Sequence, residues 1–133
     1  MDAQNTTVGG KKRIIFVVED DKFMRGLEAK SLEAEGFEVQ TASDAKEATR
    51  ILQKKVRPVL IILDLLLPDV SGYEFLAAIK RDPNLAAVPV LVLSNLGQEE
   101  DVDKAMKLGA VGYLIKANCT FGTIVAKVHE IVG

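Results

Sequence analysis

The chain is short of most soft and reactive side chains. Cys119 is its one cysteine, which excludes an intrachain disulfide and fits a reducing compartment. His129 is its one histidine. One thiol and one imidazole far apart cannot make a zinc site. No excess of positive charge exists: 17 basic residues face 19 acidic ones, a net charge of −2, so a basic nucleic-acid-binding face is not expected. Lys11, Lys12 and Arg13 have no interleaved aromatics and read as a solvated flank. Apolar runs are broken by Asp64 and Pro89 well before they could span a bilayer. The first ten residues are polar and lack the apolar core of a signal peptide. Repeats, heptads, and P-loop or dinucleotide fingerprints are absent.

What is present is ordinary in bulk: 133 residues, 48% hydrophobic and 27% charged, enough for one domain with a real core. Residues 1–12 are expected to be a flexible tail and residues 13–133 the folded domain. The patterning alternates between strand and helix. Residues 14–18, 59–63, 90–93 and 113–115 are short aliphatic runs, which suits strands covered by helices on both faces. Residues 37–42 alternate like a further strand. Helices are predicted from a cap at Asp20 or Asp21 to about Glu35, from Ser43, from a Ser71–Glu74 capping box to about Arg81, over residues 98–108, and from Thr120 or Thr123. Met24, Leu27 and Leu32 should face inward on the first helix. The expected fold is α/β, a (βα)5 flavodoxin-like three-layer sandwich with a parallel five-stranded sheet of order 2-1-3-4-5.

Each buried run ends in a polar residue: Glu19-Asp20, Asp64, Ser94 and Lys116. In such a sheet ligands bind beyond the carboxyl ends of the strands. Three carboxylates held together repel, and a hard divalent cation relieves the conflict; oxygen donors suit magnesium. A carboxylate in that setting can act as a nucleophile toward phosphorus. An ammonium and a hydroxyl can balance the phosphoryl oxygens.

These elements resemble those of a response-regulator receiver domain, the phosphoacceptor of two-component signalling. The resemblance covers about residues 13–133. It rests on Ile15-Phe16-Val17-Val18-Glu19-Asp20-Asp21, on Leu63-Asp64-Leu65-Leu66-Leu67-Pro68-Asp69-Val70-Ser71-Gly72, on Leu91-Val92-Leu93-Ser94, and on Gly112-Tyr113-Leu114-Ile115-Lys116, in that order. It implies that Asp64 is the phosphoacceptor, served by Lys116 and Ser94. Magnesium, with manganese as a substitute, would be held by Glu19, Asp20, Asp64 and the backbone carbonyl of Leu66. Ser94 and Tyr113 would be the switch pair. The implied partners are a sensor histidine kinase or histidine phosphotransfer protein as donor and a downstream protein target, in the cytoplasm. Nucleic acid and membrane are not expected to be direct partners. The chain would be a monomer or weak dimer, and a signalling protein rather than a turnover enzyme. The changed surface would lie within residues 98–132. No output domain follows in this sequence, so the reading is a stand-alone regulator or a piece of a larger protein.

Two departures stand out. Ala117 follows Lys116 where the family usually has proline, often cis. A cis bond before alanine costs about 3 kcal/mol, so the loop either holds strain or runs trans. Leu66 and Asn95 flank the expected path of hydrolytic water, and apolar Leu66 should orient that water poorly and prolong phosphorylation. Three other functions compete. An aspartate-nucleophile phosphatase would want a second acid at position 66, where this chain has leucine. A flavodoxin would want a hydroxyl- and glycine-rich loop in place of Glu19-Asp20-Asp21. A pseudo-receiver would not need the intact acid–lysine set.

Overall fold

The computed structural model describes residues 7–8 and 11–133. Residues 1–6, 9 and 10 of the expected tail lie outside the described residues. Within that span Thr7–Val8 (β1) pairs antiparallel with Lys11–Lys12 (β2).

The remaining strands form one parallel sheet. They are β3 (Ile14–Val18), β4 (Glu38–Ala42), β5 (Leu60–Leu63), β6 (Val90–Ser94) and β7 (Gly112–Ile115), in the order β4-β3-β5-β6-β7. Counted from β3, this is the predicted 2-1-3-4-5. The helices are α1 (Lys22–Glu33), α2 (Ala45–Leu52), α3 (Gly72–Arg81), α4 (Glu99–Lys107) and α5 (Phe121–Val132).

Strand periodicity of two divides the core into two layers. Phe16, Val18, Ile61, Leu63, Val90 and Val92 face one way, onto Ala45, Ala48 and Leu52 of α2, Phe75, Leu76 and Ile79 of α3, and Ala105 of α4. Ile15, Val17, Leu60, Ile62, Leu91 and Leu93 face the other way, onto Leu32 of α1 and Ile124 and Val128 of α5. Each buried side chain of this size contributes roughly 1.5–3 kcal/mol of hydrophobic stabilisation. The sheet has little choice of register, because a one-residue slip would exchange the two layers.

Local chemistry sets the boundaries. Asp21 caps α1 by accepting from the Met24 amide at 2.9 Å. Gly36, at φ 97°, turns the chain out of α1 into β4. The predicted Ser43 cap of α2 moves by one residue. Asp44 accepts from the Glu47 amide at 2.7 Å, while Glu47 reaches back to the Ser43 amide at 2.7 Å. Ser43 thus sits one position before the cap, with its amide and hydroxyl both donating to Glu47 Oε1. Ser71 does cap α3, but through the Tyr73 amide at 3.2 Å, and Glu74 is exposed. Thr120 rather than Thr123 caps α5, accepting from the Thr123 amide at 3.1 Å. Met106, read from sequence as core or groove filling, is 43% exposed.

Candidate site at the strand ends

The carboxyl ends of β3, β5, β6 and β7 converge as topology requires. Glu19 follows β3, Asp64 follows β5, Ser94 ends β6, and Lys116 follows β7 at the start of a 3-10 turn, Lys116–Asn118. Glu19, Asp64 and Ser94 are buried, whereas Asp20 is exposed at the rim.

Asp64 is held on both oxygens. Oδ1 accepts from the Ser94 hydroxyl at 2.9 Å and from the Leu66 amide at 3.0 Å; Oδ2 accepts from Lys116 Nζ at 2.6 Å. Lys116 Nζ also donates to Glu19 Oε1. Glu19 Oε2 accepts from the Asp21 amide at 3.1 Å. Burial by itself would push the Lys116 ammonium down, but its bonds to Asp64 and Glu19 outweigh that and raise its pKa. Burial raises the Glu19 carboxyl, with Lys116 opposing it. The peptide after Lys116 is trans, as are all described peptide bonds, so the alanine in place of proline is accommodated without a cis bond.

Why this loop geometry forms is legible in two close contacts. The Gly72 amide donates to the Leu65 carbonyl at 3.0 Å, and a Cβ at Gly72 would lie 2.3 Å from the Leu65 Cα. Only glycine lets the start of α3 approach the segment that carries Asp64. On the other side, Arg25 donates from α1 to the backbone carbonyls of Glu19 at 3.0 Å and Asp20 at 3.3 Å, fixing the β3–α1 turn. Asp69, in the loop after Asp64, accepts from the Ala45 amide at 3.1 Å and the Lys46 amide at 2.9 Å at the start of α2. Desolvation alone would raise Asp69, but these amides and that of Val70 hold its carboxyl below the usual range.

The donor set suits a hard divalent cation. Ligand oxygens of Glu19, Asp20 and Asp64 all lie within 4.8 Å of one another, and neither imidazole nor thiol stands among them. Leu66 is half-exposed, and its amide rather than its carbonyl is the atom engaged, by Asp64.

Tyr113 is half-buried, with its hydroxyl donating to the Leu96 carbonyl at 2.5 Å, in the loop between β6 and α4. Burial, reinforced by negative neighbours, pushes that phenol up to about 12. Four contributors around the site escaped sequence reasoning. Arg25 is one. Tyr73 is another: its hydroxyl donates to Asp101 Oδ1 at 3.2 Å, clasping α3 to α4. Asp101, the third, also accepts from the Gln98 amide at 3.1 Å.

The fourth is Glu28. It is 1% exposed, on the inner face of α1, where Leu32 is also buried and Met24 and Leu27 are only partly so. Desolvation, reinforced by the charge of Glu19, pushes the Glu28 carboxyl up to about 8. The signal was available, because Met24, Glu28 and Leu32 are spaced by one helical turn.

His129, expected at the surface, is partly exposed and sits 2.8 Å from Glu35 Oε1. No described helix is long and apolar enough to cross a membrane.

The family described as response regulator receiver domain matches residues 15–129. The phosphate regulon transcriptional regulatory protein PhoB of Rhizobium meliloti is 38% identical over 102 residues, 77% of this chain and 44% of PhoB. The chain therefore spans under half the length of that relative. Among solved structures, chemotaxis protein CheY4 of Vibrio cholerae superposes with a TM-score of 0.83 at 28% identity, over 90% of this chain and 98% of CheY4. The Mn2+-bound form of response regulator Rcp1 gives a TM-score of 0.76 at 33% identity, over 86% of this chain and 88% of Rcp1. With the 2-1-3-4-5 sheet and the match across nearly the whole described domain, the chain belongs to the response-regulator receiver domain family of two-component systems.

Proposed function

We propose that Asp64 accepts a phosphoryl group from a phosphohistidine on a sensor histidine kinase or histidine phosphotransfer protein. One observation carries the reading: a buried carboxylate is gripped on its two oxygens by an ammonium and a hydroxyl, beside two further acids. An Asp64 oxygen attacks phosphorus; the P–N bond breaks, and its electron pair leaves with the donor imidazole. Water later attacks the phosphorus, returning the carboxylate and releasing inorganic phosphate. Magnesium, or manganese in its place, would be held by Glu19, Asp20, Asp64 and the Leu66 carbonyl and would supply neutralisation of phosphoryl charge.

Lys116 stabilises one phosphoryl oxygen and Ser94 another. Transfer takes Asp64 Oδ1 away from the Ser94 hydroxyl as it was held, so Ser94 must follow the new anion. Tyr113, on β7, is bonded to the Leu96 carbonyl in the β6–α4 loop that follows Ser94. The two states then differ over α4, β7 and α5, and a downstream protein reads that difference. The chain acts in the cytoplasm as a monomer or weak dimer, and its catalysis is limited to its own phosphorylation and hydrolysis.

Incubation with acetyl phosphate, with and without magnesium, tests the reading. A magnesium-dependent covalent phosphate on the parent and none on Asp64→Asn is expected; an equal adduct in the variant contradicts it. Leu66 bears on lifetime. Leu66→Asn should hasten loss of the phosphoryl group, and an unchanged or slower rate would refute its assigned part.

A further inference from the structure

Asp64 stands at the carboxyl end of the sheet. At the other end, between α2 and α3, a cavity of about 200 Å³ opens to solvent. Its place follows from the order of the elements. Arg57 lies in the connection from α2 to β5, and Asp82 and Asn84 lie in the connection from α3 to β6. The floor is apolar, made by Leu52, Phe75, Ile79 and Leu85, all of them buried core residues. Apolar walls with a few polar groups at the edge are the usual make-up of a small-molecule site.

The edge is built rather than loose. Asp82 Oδ1 accepts from the Asn84 amide at 2.8 Å, and the Asp82 carbonyl accepts from the Leu85 amide at 3.0 Å. Lys80 Nζ holds the same connection by donating to the Ala86 carbonyl at 3.2 Å and the Val88 carbonyl at 2.7 Å. On the Arg57 side, Lys55 takes the left-handed conformation, at φ 64°, which a side chain disfavours. Pro58 then keeps Arg57 out of the helical region.

Arg57 and Asp82 line one cavity with opposite charges, yet among the described residues neither forms an ion pair. The Arg57 guanidinium donates to the carbonyl of its neighbour Val56 at 3.0 Å. A guanidinium fork suits a carboxylate, and a carboxylate suits an ammonium. A phosphate dianion would be repelled by Asp82, and a wholly apolar molecule would leave both charges unused. Volume narrows the choice further. An apolar cavity of about 150 Å³ holds a benzene ring. Drug-sized ligands take roughly 300–1,000 Å³. The occupant is therefore one ring or one branched chain with a short polar end.

We propose that this cavity binds a free amino acid with a large apolar side chain. The side chain lies on the floor, the carboxylate meets Arg57 and the ammonium meets Asp82.

Amide NMR of the isotope-labelled full chain tests this with three probes. L-phenylalanine carries both charges, phenylacetate lacks the ammonium and phenethylamine lacks the carboxylate. Saturable shifts of the Gln53, Ile79 and Leu85 amides are expected with L-phenylalanine. Each truncated probe should bind about ten-fold more weakly or worse, since it forfeits a charge-assisted bond. Arg57→Gln and Asp82→Asn should each weaken L-phenylalanine by a similar factor. Asparagine at 82 keeps an acceptor for the Asn84 amide, and Arg57 is exposed, so both variants retain the fold. No saturable shift with L-phenylalanine at millimolar concentration overturns the proposal. So does equal affinity for phenylacetate, or parent-like affinity for L-phenylalanine in either variant.

Discussion

The two halves of the strand-end rim are built from different chemistry. On the β3 and β5 side stand charges: Glu19 and Asp64 are paired at hydrogen-bond distance with Lys116, which reaches across from the end of β7, all with little solvent. On the side toward β6 and α4 the bonding groups are hydroxyls: Ser94 of β6 and Tyr73 of α3 bond to carboxylates, and Tyr113 of β7 bonds to the Leu96 carbonyl. A buried charge tolerates few arrangements, because a lost partner leaves desolvation uncompensated. A hydroxyl bond is worth about 1 kcal/mol and can be exchanged for another. The first side therefore suits a fixed site, and the second suits a segment that moves.

Lys116→Met is the strongest way to break that contrast. It leaves the Glu19 and Asp64 carboxylates buried without their common cation. Breaking such a pair costs about 3–5 kcal/mol in other proteins, so metal-free chemical denaturation at neutral pH should show a loss near the low end of that range. A loss no larger than that of a hydroxyl deletion would erase the distinction between the two halves.

Glu28 sharpens the contrast through pH. Its carboxyl is raised from the ordinary value of 4.5 to about 8, so the folded chain keeps a proton that the unfolded chain releases. Stability is therefore full at low pH by this contribution and declines between those values, by at most about 1.4 kcal/mol per pH unit. Glu28→Gln should flatten the decline in unfolding experiments across that window. A slope as steep as the parent's would show that another group, such as Glu19, governs it.

Tyr73→Phe probes the softer side. It deletes the hydroxyl bond to Asp101 while keeping the ring that packs between α3 and α4. The expected cost is about 1 kcal/mol, with faster hydrogen exchange confined to the first turn of α4. Faster exchange across the Asp64 loop as well would show that the halves are mechanically joined.

Much of the fold was legible because β3, β5 and β6 are apolar runs ended abruptly by polar residues, and both faces of such strands must be covered. The four site positions followed from the same endings, and the structure brings Glu19, Asp64, Ser94 and Lys116 into direct contact. What escaped was of two kinds. The cap of α2 moved to Asp44 because neighbouring Ser43 and Asp44 are both good caps, and only the reach of Glu47 selects between them. Tyr73 and Asp101 lie on different helices, and no local pattern announces their pairing. Glu28 was different. It fell on the inward stripe of α1 but was passed over, since an acid in a helix ordinarily faces water, and only tertiary packing shows it buried.

The central claim is that Asp64 is the atom-level acceptor, and borohydride trapping tests it most directly. Borohydride reduces an acyl phosphate to an alcohol, so the chain phosphorylated with acetyl phosphate and magnesium should yield homoserine at position 64 on peptide mapping. Homoserine at Asp20, 5-hydroxynorvaline at Glu19, or a reduced acid elsewhere, with Asp64 intact, would contradict the account.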